Sequence, residues 1–236
     1  MEMKNYVNVN KVNSNIFNIN FDLRSFIQFQ QQIALKYQTK EELLYENIES
    51  KGFINNYDRY LLHCIEEISE VRDAILNHKD IDEIREELVD VLMYLGTMTS
   101  IVELNMDRYE MKTQDKFELN YLTYVDHFNS TMLFDKSQRP LITSEVPVTI
   151  DLKLMEVIHL LIEERRLFPQ RKWHKPSVND SELQFKYKMN KLYANNIECM
   201  KIIIKILMED RSCSERYINE MINAKGSLVI NLPMPE

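Results

Sequence analysis

Along most of this chain the apolar residues recur at three- and four-residue spacings, the period of one helix face. After Asp22, a residue suited to an N-cap, Leu23, Phe26, Ile27, Phe29 and Ile33 form such a stripe and predict a helix over 22–37. A shorter helix follows over 41–49, and Asn55, Asn56 and Asp58 read as a turn. Over 60–77 the pattern strengthens, with Leu61, Leu62, Ile65, Ile68, Ile75 and Leu76 on one side. The polar stretch 77–80 breaks it. Asp80 or Asp82 then caps a helix that runs through Ile84, Leu88, Val91, Leu92 and Leu95 to about 104, with acids in its first turn. Gly96, inside that helix, permits a close helix contact. Further helices are predicted over 152–167, 182–210 and 214–224, the last leading to Gly226 and an extended tail over 227–235. Two stretches depart from the helical period. Residues 1–20 alternate asparagine with apolar side chains and read as an arm or edge strand. Residues 127–150 carry Pro140 and Pro147 among β-branched side chains and read as a linker. The expected organisation is an arm (1–20), a helical bundle (21–126), the linker (127–150) and a helical C-terminal region (151–236).

Composition sharpens this. The 236 residues include only 3 glycines, where average usage of about 7% would give roughly sixteen. Three glycines this far apart write neither a GxGxxG turn nor a P-loop, and an all-β fold built on glycine-rich turns is disfavoured. The class is all-α. The net charge of −8 repels phosphate backbones and argues against general nucleic-acid binding. The longest apolar stretch, near 202–208, is far short of the ~20 residues that span a bilayer. No signal-peptide core stands at the N-terminus. The odd cysteine set Cys64, Cys199 and Cys213, with no CxxC pair, points to a reducing, cytoplasmic setting.

The chemistry concentrates in two acidic segments, Glu66-Glu67-Ile68-Ser69-Glu70 and Glu86-Glu87-Leu88-Val89-Asp90. Glu67/Glu70 and Glu87/Asp90 each stand at i, i+3, which stacks both side chains on one helix face. In an antiparallel hairpin, facing positions sum to a constant. Glu67 with Asp90 and Glu70 with Glu87 both sum to 157, which puts the dyad inside the polar break at 77–80. Four converging carboxylates repel one another and resist burial as anions unless a cation neutralises them. Isolated acidic pairs are usually a solvated helix face; the matched register across a short turn separates this set from that reading. An all-carboxylate donor set suits hard divalent ions, Mg²⁺, Mn²⁺ or Ca²⁺, rather than zinc. Mg²⁺ commonly takes its remaining ligands from substrate phosphates, so the cluster points to phosphoryl chemistry on a nucleotide. Arg72, Lys79 and Arg85 are candidate salt-bridge partners for some of these acids.

The pattern EExxE, a spacer, then ExxD resembles the signature of the all-α nucleoside triphosphate pyrophosphohydrolases: the MazG-like proteins, the dimeric dUTPases and the dCTP pyrophosphatases. It stands here as Glu66-Glu67-x-x-Glu70 and Glu87-x-x-Asp90, within a resemblance that covers roughly 22–105. The short spacer is closer to the MazG-like form than to the tryptophan- and lysine-rich dUTPase form. The resemblance implies a MazG-like helical bundle in which Glu67, Glu70, Glu87 and Asp90 bind Mg²⁺, or Mn²⁺ in its place, with Glu66 in a catalytic role orienting the water. It implies cleavage of a (d)NTP between the α- and β-phosphates, giving (d)NMP and pyrophosphate. It also implies a homodimer or higher homo-oligomer.

In the second half, Arg165, Arg166, Arg171, Lys172 and Lys175 surround the single tryptophan, Trp173. Lys172 and Trp173 are the candidate substrate-binding pair, cation for phosphate and ring for base, against the plainer reading of a basic turn with a packed tryptophan. Residues 151–224 read either as a decayed second repeat or as a helical extension covering the bundle. Gln28 and Gln30 are weaker candidates for contact with a base, and His63, His127 and His159 read as structural. The expected function is Mg²⁺-dependent pyrophosphohydrolysis by a metal-activated water. The alternatives are a dUTPase- or dCTPase-like housekeeping enzyme, or an inactive scaffold or regulatory dimer of the same fold.

Overall fold

In the computed structural model, the structure describes residues 23–44, 51–108, 146–168, 182–209, 213 and 215–231. The 1–20 arm, most of the 127–150 linker, and Lys172 and Trp173 with their basic neighbours Arg171 and Lys175 lie outside the described residues. Among those described, every regular element is a helix: α1 (Leu23–Tyr37), α2 (Lys40–Leu43), α3 (Lys51–Leu76), α4 (Ile81–Arg108), α5 (Val146–Arg166), α6 (Glu182–Glu209) and α7 (Glu215–Asn231). The described residues are all-α, as the periodicity predicts.

Helix α4 is the centre. Leu88, Val91, Leu92, Leu95, Met98 and Val102 are all buried, and α3, α1 and α6 pack around it. A helix covered on several sides must be apolar over most of its circumference. α3 supplies Tyr57, Leu61, Cys64, Ile68 and Val71 to the same core, and α6 supplies Met189, Leu192, Ile203 and Leu207. One continuous core therefore joins the N-terminal bundle to the C-terminal helices. α5 runs antiparallel to α3. Tyr57, near the start of α3, donates to Glu164 near the end of α5 (2.8 Å), while Arg72 near the end of α3 pairs with Asp151 near the start of α5. Glu164 is fully buried, and burial pushes its carboxyl well above the usual carboxylate range.

Three local expectations are corrected. The turn read at Asn55, Asn56 and Asp58 is helix, because α3 begins at Lys51. Phe53 and Tyr57 bury their rings there, and Asn56 donates to the Glu42 carbonyl (3.1 Å) while accepting from Gln38 (3.0 Å). Tertiary partners outweigh the turn preference of asparagine. α5 begins at Val146, ahead of the expected start near 152, since Pro147 sits in the first turn, where a missing N–H costs nothing. The expected extended tail is helical to Asn231. Its last carbonyls find partners on α1: Tyr37 donates to Val229 O (2.6 Å), and Lys36 donates to Val229 O (3.0 Å) and to Ile230 O.

The two glycines in the second half of their helices mark close crossings with α1. A Cβ on Gly96 would stand 2.5 Å from the Phe26 ring and 2.8 Å from Gln30 Cγ. One on Gly226 would stand 2.3 Å from the Phe29 ring. Both rings are buried and cannot swing aside. Gln30, a weak base-contact candidate, is instead absorbed into the first crossing: it donates to Met93 Sδ and accepts from Thr97 (3.0 Å). Alanine favours a helix over glycine by about 1 kcal/mol, but overpacking a core costs about 1–3 kcal/mol. Gly96→Ala and Gly226→Ala should therefore each lower stability by about 1–2 kcal/mol in denaturant melts. A gain in stability at either position would show that α1 does not cross there.

Candidate functional site

The site begins with the turn between α3 and α4. Lys79 N–H donates to Ala74 O (3.0 Å) and His78 N–H to Ile75 O (3.2 Å), the pair of bonds that closes a helix C-terminus around a left-handed residue. His78 is that residue, with φ of 53°. Asp80 Oδ1 then accepts from Glu83 N–H (2.9 Å) and caps α4. The turn is thus four residues, Asn77, His78, Lys79 and Asp80, the last of them the cap, and it fixes the register of the hairpin.

Below the turn, the inner side of the hairpin is apolar: Ile68, Val71, Leu88 and Val91 are buried, and Cys64 Sγ reaches Val91 O. The other side carries the acids. Glu67, Glu70 and Glu87 place carboxylate oxygens within 4.8 Å of one another. Glu67 and Glu87 are half-buried, and Glu70 is exposed. Burial pushes the Glu67 carboxyl up to about 7, reinforced by the charges of Asp90, Glu70 and Glu87. Glu87 moves up as well, through burial first and then Asp90 and Glu70. Of the two facing pairs that sum to 157, Glu70 and Glu87 are brought together, with Glu67 beside them, whereas the expected fourth acid, Asp90, is not part of this trio.

Asp90 stands beside this trio and acts on both Glu67 and Glu87, but its carboxylate is engaged by Lys225 from α7. The hairpin's own cations point to other acids: Arg72 to Asp151, Lys79 to Glu83 and Arg85 to Asp82. Glu66, next to Glu67 but turned about 100° around the helix, is exposed and holds His63 Nδ1 at 2.7 Å. His63 stacks on Tyr94 (centroids 5.6 Å, planes 27° apart). Burial and then the charges of Glu67 and Asp90 push the Tyr94 hydroxyl up, so this ring borders the acidic cluster. His63, taken from sequence as structural, thus tethers Glu66 to the edge of the site.

Lys225 is the residue that sequence reasoning missed. The expected last helix, over 214–224, stops one residue short of it, whereas the helix runs to Asn231. Yet Ile218, Ile222, Gly226 and Val229 repeat at 4, 4 and 3 residues, a helical stripe through Gly226, and the first three are buried.

Three carboxylates within 4.8 Å, all oxygen donors and with no sulfur or imidazole among them, match a hard divalent cation. Residues 55–119 match the family model of the MazG nucleotide pyrophosphohydrolase domain, a segment that contains most of α3, the turn, all of α4 and both acidic motifs. This segment is accordingly MazG-like in both family and all-α fold. The chain matches no curated protein and no solved structure. No helix among the described residues is long and apolar enough to cross a membrane.

A carboxyl raised on folding binds its proton more tightly in the folded state. Its contribution to stability is present at low pH and lost as pH rises through the folded value, here about 7 for Glu67. In EDTA, the melting temperature of the wild type should fall from pH 5.5 to pH 8 more than that of Glu67→Gln. Adding Mg²⁺ or Mn²⁺ should restore the wild type at pH 8 and have little effect at pH 5.5. Identical pH profiles for wild type and Glu67→Gln in EDTA would contradict the burial and crowding that raise the Glu67 carboxyl.

Proposed function

We propose that this protein is a divalent-metal-dependent nucleoside triphosphate pyrophosphohydrolase, converting a (d)NTP to (d)NMP and pyrophosphate. The observation that carries this reading is the convergence of Glu67, Glu70 and Glu87 across a hairpin inside a MazG-like segment. Mg²⁺ is the proposed cation, with Mn²⁺ able to replace it, and Asp90 joins the three glutamates in holding it. The chemistry it supplies when bound is polarisation of a phosphate oxygen and a lowered pKa for the attacking water.

The chain's own residues have distinct tasks. Glu67 and Glu87, half-buried on facing helices, and the exposed Glu70 would hold the cation. Glu66, tethered by His63, orients the water from the cluster's edge. Water supplies the oxygen of one new phosphate P–O bond, the bridging bond between α- and β-phosphate breaks, and pyrophosphate leaves. No side chain forms a covalent intermediate. Lys172 and Trp173 are proposed to contact phosphate and base. Cytoplasmic location and assembly into a homodimer or larger homo-oligomer belong to the same reading.

The test is a panel of the natural ribo- and deoxyribonucleoside triphosphates with Mg²⁺ or Mn²⁺, detecting both pyrophosphate and monophosphate. We expect equimolar release of the two products, and a loss of about 100-fold or more in kcat/KM for Glu70→Gln and Asp90→Asn. The base preference in the panel separates a broad pyrophosphohydrolase from a dUTPase- or dCTPase-like enzyme. Absence of turnover with every nucleotide and both metals would overturn the reading in favour of a helical scaffold.

A further inference from the structure

α7 is fastened to the bundle at both ends. Near its start, Tyr217 donates to Asp82 (3.0 Å) and its ring lies under the Arg85 guanidinium, 5.2 Å away. Near its end, Lys36 and Tyr37 hold the Val229 carbonyl, and Gly226 seats against the Phe29 ring. Between these anchors stands Lys225, directly before the close crossing at Gly226. Its backbone is therefore held at a fixed height beside α4, and its ammonium lies on Asp90 Oδ2. Both members of the ion pair are mostly covered, with side chains 24% and 29% exposed. The ammonium also opposes the upward shifts of Glu67 and Glu87, so it acts on the cluster and not on Asp90 alone.

One ammonium cannot balance four carboxylates, and a divalent cation entering the cluster repels it. The anionic oxygens of a phosphate arriving with that cation offer the ammonium a new partner at the same place. Lysine suits such an exchange, since it carries a compact charge and three donors on a flexible stem that swings without moving its helix. Charge-assisted hydrogen bonds to phosphate are among the stronger polar contacts.

We propose that Lys225 is a substrate-binding residue supplied by the C-terminal helix: it holds Asp90 in the metal-free protein and passes to a nucleotide phosphate once the cation takes the carboxylates. This rests on the pyrophosphohydrolase reading. It also extends the site beyond the MazG-like segment, since Lys225 lies outside residues 55–119.

The test uses the full chain with Lys225→Met, which keeps the stem, and Lys225→Arg, which keeps the charge. Two affinities are measured: Mn²⁺ alone by electron paramagnetic resonance, and a non-hydrolysable α,β-methylene triphosphate with Mg²⁺ by calorimetry. For Lys225→Met, Mn²⁺ alone should bind several-fold more tightly, because a competing cation is gone. The analogue should bind about tenfold or more weakly. Lys225→Arg should retain part of the analogue affinity. Analogue binding within twofold of wild type overturns the proposal. So does parallel weakening of metal and analogue with a lowered melting temperature, the mark of a structural lysine. If wild type turns over no triphosphate, the hydrolase reading fails by itself, while the two affinities still decide the role of Lys225.

Discussion

The mutual repulsion of the carboxylates on the α3–α4 hairpin is the constraint around which the rest of this molecule is arranged. Glu67, Glu70 and Glu87 lie within 4.8 Å of one another and Asp90 stands beside them, an arrangement that like charges oppose. It persists because the opposite side of the hairpin settles the register first. Ile68, Val71, Leu88 and Val91 are buried there, and a one-position slip would expose them. The left-handed His78 and the Asp80 cap close the turn in the same register. Core burial thus supplies the stability that holds the crowded acidic face together.

The other helices make that frame rigid. α1 crosses α4 at Gly96 and α7 at Gly226, where rings of Phe26 and Phe29 occupy the space that side chains would need. α6 covers a further side of α4, and α5 closes on α3 through the Tyr57–Glu164 bond. The scarcity of glycine acquires a structural meaning here. The chain writes no GxGxxG turn and no P-loop, and the charged groups beside the acids project from packed helices. α7 contributes Lys225 to that set, so the C-terminal region and the hairpin are parts of one site.

The hairpin was legible because two periodicities agreed: the apolar stripe gave each helix its buried face, and the constant sum of 157 placed the acids opposite one another. Asp80 as cap and Gly96 as a close contact followed from local chemistry that operates the same way in the folded chain. The errors arose where distant partners overrode local preference. Asn56 belongs to a helix because Gln38 and the Glu42 backbone satisfy it, and Pro147 belongs to one because it falls in a first turn. The tail is helical because α1 receives its terminal carbonyls. Lys225 and the His63–Glu66 tether depend on which helices lie side by side, and one-dimensional spacing does not encode that. Lys172 and Trp173 lie outside the described residues.

The central claim, that the hairpin gathers its acids into a cation site, is tested most directly by locating the cation. Crystals grown with Mn²⁺ should give an anomalous difference peak between α3 and α4, within bonding distance of Glu67, Glu70 and Glu87, with Lys225 moved off Asp90. The peak should vanish in Glu70→Gln. A well-ordered hairpin with no peak among these residues, or with Mn²⁺ bound only elsewhere, would contradict the account.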